Sequence, residues 1–146
     1  MIPYGKQDIN HEDIEAVINV LQSDFLTQGP KVPVFEQCVA DFVGSKYGCA
    51  VNSATSALHI ACLALGLGRS DELWTSPNTF VSTANAALMC GAEIDFVDVD
   101  PKTGNMCLIQ LEKRLKIAAK NNTIPKIIVP VHFSGLPCDM KKFNTL

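Results

Sequence analysis

The chain predicts an α/β fold built on a parallel or mostly parallel sheet, and three observations carry that prediction. Short apolar runs alternate with helical periodicities at the pace of βαβ units. One of the runs, Tyr47 to Val51, is uninterrupted rather than alternating, as in a strand covered on both faces. An apolar content of 47% against 18% charged residues supplies enough core for one domain of 146 residues.

Pro3 to Gln7 reads as an extended arm, followed by a helix from Glu12 to Gln22 with Asn10 as N-cap, acids in its first turn and an Ile14, Val17, Ile18, Leu21 stripe. Ser23 to Pro33 is a loop broken by Gly29 and Pro30. Val34 to Val43 returns to helical spacing and stops at Gly44, a C-cap. Tyr47 to Val51 is the first predicted strand. Asn52 to Ser56 is a turn of small hydroxylated residues, and Ala57 to Leu65 is a helix apolar enough to be buried.

Gly66 and Gly68 break the chain before a strand at Glu72 to Thr75 and a turn at Ser76 to Asn78. An Ala-rich helix from Phe80 to Met89 takes its cap from Asn78 or Thr79. Ile94 to Val97 is the third strand, and a loop from Asp98 ends near Asn105. Leu108 to Lys120 is amphipathic, with Leu108, Leu111, Leu115 and Ala118 inward and Lys113, Arg114 and Lys116 solvated. The fourth strand is Lys126 to Val131, and Asp139 to Phe143 opens another helix.

A net charge of −3 with no basic patch argues against nucleic-acid binding. Six cysteines without Cys-x-x-Cys or Cys/His spacing read as reduced thiols, with Cys49, Cys62 and Cys90 in cores, and predict no metal site. No apolar signal region or membrane-length run is present, so the expected location is the cytoplasm and no membrane partner is expected.

Ligands of such sheets sit outside the carboxyl ends of the strands. The segments predicted to converge there are Asn52 to Thr55, Ser76 to Phe80, Asp98 to Asp100 and His132 to Gly135. The Asn52 to Ser56 turn reads as a phosphate cradle at a helix start: Ser53 and Thr55 bring hydroxyls, and Ala54 allows close approach to the backbone. Plain helix capping is the default use of the same residues. Neither a Gly-Lys-Ser/Thr loop nor Gly-x-Gly-x-x-Gly is present, which excludes the common ATP and NAD sites. Phe80 is placed to stack on a planar ring, although position alone favours a core phenylalanine. His132 is either an acid/base or cofactor contact or, by a small margin, a hydrogen-bonded structural histidine. Asp98 and Asp100 read as turn formers, His59 as a satisfied core residue and His11 as part of an exposed helix start. A phosphate with a stacked ring suggests pyridoxal phosphate or a flavin, and composition does not choose between them.

The order of the motifs does choose. Pro3-Tyr4-Gly5-Lys6-Gln7, Leu26-Thr27-Gln28-Gly29-Pro30, Val51 to His59, Ser76-Pro77-Asn78-Thr79-Phe80-Val81, Phe96 to Asp100 and Pro130-Val131-His132-Phe133-Ser134-Gly135 closely resemble the DegT/DnrJ/EryC1/StrS sugar aminotransferases. The wording around Leu73 to Phe80 is most similar to members acting in pseudaminic-acid synthesis, which aminate C4 of a UDP-linked 4-keto-6-deoxy-2-acetamido sugar. The resemblance implies the N-terminal part of the large domain of the type I pyridoxal-phosphate fold, that of aspartate aminotransferase. It implies pyridoxal 5'-phosphate as cofactor, with Ser53, Ala54 and Thr55 on its phosphate and Phe80 on its ring. Tyr4, Gln7 and Thr27 fall in the substrate-entrance segments. Two half-reactions follow, with glutamate the expected amino donor and a nucleotide sugar the acceptor, in a homodimer. The family's Schiff-base lysine, the acid expected at its pyridinium nitrogen and its small C-terminal domain match nothing in residues 1–146, so the chain is expected to be a partial large domain unable to turn over alone. The alternatives are a dehydratase or an aminotransferase acting at another sugar carbon, or a non-catalytic domain with a vestigial cofactor turn.

Overall fold

The computed structural model describes residues 5–146, which fall into two compact units, one ending at Ala50 and the other running from Val51 to Leu146. The predicted arm is covered only from Gly5 onward, where it is irregular, and Tyr4 lies outside the described residues.

In the first unit, α1 (His11–Leu21) begins as predicted. The Asn10 side chain accepts from the backbone of Glu12 and Asp13, and Asp13 reaches back to the Asn10 N–H at 2.9 Å, closing a capping box. Helix α2 (Lys31–Val43) starts earlier than the sequence suggests and takes Pro33 into its first turn, where a missing N–H costs nothing. It ends at Gly44 with φ of 70°, the left-handed cap expected there.

Tyr47 to Val51 is not a strand. No described strand pairs with it, and Gly48 instead lies against the body of α2, where an added Cβ would stand 2.6 Å from the Glu36 carbonyl oxygen. The Ala50 N–H, which a sheet would have used, donates to the Glu36 carboxylate at 2.8 Å. An apolar run supplies strand propensity, but a ladder needs a neighbour.

The second unit is a three-layer α/β arrangement. Strands β1 (Glu72–Thr75), β2 (Glu93–Phe96) and β3 (Ile127–Val129) form a parallel sheet in the order β2-β1-β3. Helices α3 (Ala54–Ala64) and α4 (Ser82–Met89) pack together on one face, and α5 (Leu108–Asn121) covers the other. The alternation of β1 decides which side chain meets which layer. Leu73 packs with Cys62, Ala86, Ala87 and Ile127, whereas Trp74 faces Val97, Leu111 and Ala118. Thr75 is fully buried and donates its hydroxyl to the Val129 carbonyl at 2.9 Å, tying β1 to β3 beyond the ladder.

Four expectations are corrected here. Helix α3 is not buried: only Cys62 is, and Leu63 and Leu65 lie half or more open. Helix α4 begins at Ser82, and neither Asn78 nor Thr79 caps it; the Thr79 hydroxyl pairs with that of Thr83 at 2.8 Å. Cys49 is exposed and Cys90 half-buried, leaving Cys62 and Cys138 as the buried thiols, and all six are free. Arg114 is not simply solvated. Its guanidinium lies 4.4 Å from the centre of the Trp74 ring, pairs with Asp95 and donates to the Phe96 carbonyl.

Candidate functional site

The connections force the helix starts to one edge. In a parallel sheet each crossover helix runs back against its strands, so α4 and α5 begin at the carboxyl ends. Helix α3 hands over to β1 at the opposite end, where Lys126, just ahead of β3, donates to the Gly66 carbonyl at 2.6 Å and pairs with Asp71 at 2.8 Å. The start of α3 therefore lies at the carboxyl edge with the segments that leave β1, β2 and β3.

At that start Ser53 is the N-cap, its backbone extended and its Oγ accepting the Ser56 N–H at 3.2 Å. The Ser56 hydroxyl donates to Asn52 Oδ1 at 2.8 Å, so the 3.1 Å contact between the two serine oxygens takes its proton from Ser53. The Ser53 hydroxyl is thus committed within the turn, the capping use that any helix start allows. The groups left open are others. The N–H groups of Ala54 and Thr55 and the Thr55 hydroxyl have no partner among the described residues. Ala54 is exposed and Thr55 half-exposed. Two unpaired amides at the positive end of a helix, beside a free hydroxyl, form an anion-binding arrangement.

Phe80 is 75% exposed, which removes the core reading of that residue. Its ring is held out just before α4, which packs against α3. Asp98 and Asp100 behave as turn formers, taking the N–H groups of Val99 at 2.8 Å and Lys102 at 2.7 Å. His59 is half-exposed on α3, and His11 is exposed beside Glu15. Gln7 and Thr27 are exposed residues of the first unit, Thr27 in the loop between α1 and α2.

The sequence reading missed how the loops of this edge are laced together. Gly104, at φ of 73°, lies so close to Phe133 that a Cβ would stand 2.7 Å from its ring, and Asn78 reaches the Gly104 carbonyl at 3.5 Å. The buried Asn105 side chain accepts from the Phe133 N–H at 2.9 Å and donates to the Leu136 carbonyl at 3.0 Å. The Asp100 to Asn105 turn and the segment after β3 are thereby one unit. A glycine and an asparagine in a turn are ordinary, and only their long-range partners mark them. The hydroxyl of Ser76, the residue that follows β1, is fully buried with no described partner, so this edge also carries an orphaned polar atom.

Among the described residues no helix is long and apolar enough to cross a membrane. Comparison with known proteins matches residues 7–146 to the DegT/DnrJ/EryC1/StrS aminotransferase family. The chain is 45% identical over 139 residues to the spore coat polysaccharide biosynthesis protein SpsC of Bacillus subtilis, covering 95% of this chain and 34% of that protein. It is 42% identical over its whole length to a UDP-4-amino-4,6-dideoxy-N-acetyl-beta-L-altrosamine transaminase of Campylobacter jejuni, of which it covers 38%. Among solved structures, Helicobacter pylori PseC, an aminotransferase of pseudaminic-acid biosynthesis, superposes with a TM-score of 0.88 at 32% identity, over 98% of this chain and 37% of that one. A sugar aminotransferase of Streptococcus pneumoniae in its PLP form gives 0.86 at 27% identity, over 99% and 35%. The chain thus spans little more than a third of the length of these relatives. With the parallel sheet, the open helix start and the match over nearly every residue all in agreement, the chain belongs to the DegT/DnrJ/EryC1/StrS aminotransferase family.

Proposed function

We propose that this chain carries the cofactor-phosphate site of a pyridoxal 5'-phosphate-dependent nucleotide-sugar aminotransferase. The reaction it serves moves an amino group from glutamate to C4 of a UDP-linked 4-keto-6-deoxy-2-acetamido sugar. The observation that carries this reading is the open start of α3, where Ala54 and Thr55 present N–H groups with no partner among the described residues, at the sheet edge that also holds out Phe80. The names of the Campylobacter jejuni relative and of the Helicobacter pylori structure support the sugar, and the PLP form of the Streptococcus pneumoniae neighbour supports the cofactor.

Ala54 and Thr55 hold the phosphate through backbone N–H groups and the Thr55 hydroxyl. Ser53 keeps the first turn in shape and adds its own O–H when that proton rotates away from Ser56. Phe80 offers an open aromatic face to the cofactor ring. When bound, the cofactor supplies the electron sink for amine transfer, and the chain's part is to orient it. Gln7 and Thr27, with Tyr4, are assigned to the substrate on resemblance. The lysines of these 146 residues lie outside any matching context, and Lys126 is tied to Gly66 and Asp71. Borohydride treatment of the chain with stoichiometric pyridoxal phosphate is therefore expected to trap no adduct concentrated on one lysine, and a single site-specific adduct found by mass spectrometry contradicts this. The working form is a homodimer in the cytoplasm, and a clean monomer by light scattering counts against the first part.

Titrating the ¹⁵N-labelled chain with pyridoxal phosphate tests the site directly. The Ala54 and Thr55 amide signals are expected to move together. Thr55→Val weakens binding about tenfold or more, the scale of one hydrogen bond to a charged group. Phe80→Ala weakens it by a factor of about 2 to 10, the worth of an aromatic stack. Amides that stay still at millimolar cofactor refute the assignment.

A further inference from the structure

His132 stands just beyond β3, at the same carboxyl edge. Its Nδ1 receives the main-chain N–H of Cys138 at 3.0 Å. A backbone amide only donates, so Nδ1 is bare and the single proton of the neutral ring sits on Nε2. The other end of this bond is fixed too. The Cys138 thiol donates to the Val131 carbonyl at 3.2 Å, and the residue is buried. The neighbouring residue is held from a third direction by the Phe133 N–H bond to Asn105. The ring's tautomer and attachment are therefore set by the fold. Yet His132 is exposed, and its Nε2–H has no acceptor among the described residues.

A side chain needed only to receive the Cys138 N–H requires one acceptor, which asparagine also provides. Imidazole adds a second group on the far side of a rigid ring, a donor aimed away from the protein. Resting on the function proposed above, we infer that His132 is a ligand-binding residue whose Nε2–H donates to an acceptor oxygen of the molecule held at this edge. That oxygen belongs either to the cofactor or to the nucleotide sugar, and the two are separable in solution.

The experiment uses the ¹⁵N-labelled 146-residue chain. Long-range ¹H–¹⁵N correlation should show His132 as the Nε2–H tautomer. Pyridoxal phosphate and UDP-N-acetylglucosamine are then added in separate titrations, and the one that supplies the oxygen shifts the His132 Nε2 signal. Two variants divide the ring's functions. His132→Asn keeps an oxygen to accept the Cys138 N–H but has no outward donor. His132→Gln carries an amide N–H near the place of Nε2 but loses the inner acceptor. The expected result is that the Asn variant binds that ligand about tenfold more weakly with an unchanged unfolding midpoint. The Gln variant binds within about threefold of the parent and unfolds more easily. An Asn variant that binds like the parent overturns the inference, as does a His132 signal that neither ligand moves. If pyridoxal phosphate moves Ala54 and Thr55 while neither ligand moves His132, only this inference falls. If all three stay still with the cofactor, the phosphate-site reading falls first.

Discussion

Replacing Gly104 with alanine should unfold the chain more easily by about 2–3 kcal/mol, and the structure divides that cost into two parts. Gly104 has φ of 73°, where a non-glycine residue pays roughly 1–2 kcal/mol. The added Cβ would also stand 2.7 Å from Phe133 Cδ1 and 3.3 Å from Cε1, inside van der Waals contact. Phe133 is 37% exposed, so its ring can swing aside at an off-rotamer cost of about 0.5–1.5 kcal/mol. Urea unfolding followed by the fluorescence of Trp74, the chain's single tryptophan, reads the sum. With a slope of about 1–3 kcal/mol per molar, the midpoint should fall by about 1 M. Gly104→Asn should cost less, because asparagine tolerates this backbone region. Phe133→Ala combined with Gly104→Ala should recover about 1 kcal/mol relative to additivity. Strict additivity, or a midpoint shift below about 0.2 M, would show that the turn after Asp100 does not pack on the segment after β3.

Three further outcomes follow from the second unit and the cysteines. Asp71 is held below the ordinary carboxylate range chiefly by its hydrogen bond with Lys126. Burial pushes Asp95 up, but its bonds to Arg114 and the Phe96 N–H outweigh that and hold it low as well. Both carboxylates ionise more readily folded than unfolded, so their contribution is complete above the unfolded value near 3.8 and is lost as pH falls below it. Asp71→Asn and Asp95→Asn should each flatten the loss of stability as pH falls below about 4, and an unchanged acid limb refutes the pairings. Arg114→Met keeps the stem but removes the charge over Trp74 and the pair with Asp95; the Arg114 and Asp95 side chains are partly exposed, and a loss of about 1–2 kcal/mol with an altered Trp74 emission is expected. Iodoacetamide should label exposed Cys38 and Cys49 first and Cys62 and Cys138 last, since burial pushes the last two thiols up, and mass spectrometry after a timed quench checks the order.

What the sequence made legible is what local chemistry decides. The Asn10 cap, the Gly44 stop and the Glu72–Thr75 strand appear where their residues place them, because each is settled within a few positions. What it hid depends on neighbours distant in the chain. Tyr47 to Val51 has every local mark of a strand, but the closest backbone is the helix at Glu36, and a glycine lets that helix approach. Arg114 sits on the polar side of an amphipathic pattern, and only the fold brings Trp74 and Asp95 beneath it. Helix α3 has a composition suited to burial, yet composition states what a helix can tolerate on its surface and not what covers it.

The same distinction governs the site. Hydroxyl-rich residues before an apolar helix identify a helix start, and two uses of such a start share one spelling. Geometry separates them by asking which donors are already engaged. Ser53, the residue that most suggests a phosphate ligand, has its oxygen on Ser56 and its proton on the same neighbour. The less conspicuous Ala54 and Thr55 keep N–H groups with no partner among the described residues. An anion at this turn would therefore be held mainly by main chain, which side-chain substitution leaves in place. Ser53→Ala should then cost helix stability, about 1 kcal/mol as an N-cap, while weakening pyridoxal phosphate less than Thr55→Val does. Circular-dichroism melts beside cofactor titrations of the two variants decide it. A Ser53→Ala variant that melts normally but loses the cofactor would reverse the assignment of the two hydroxyls.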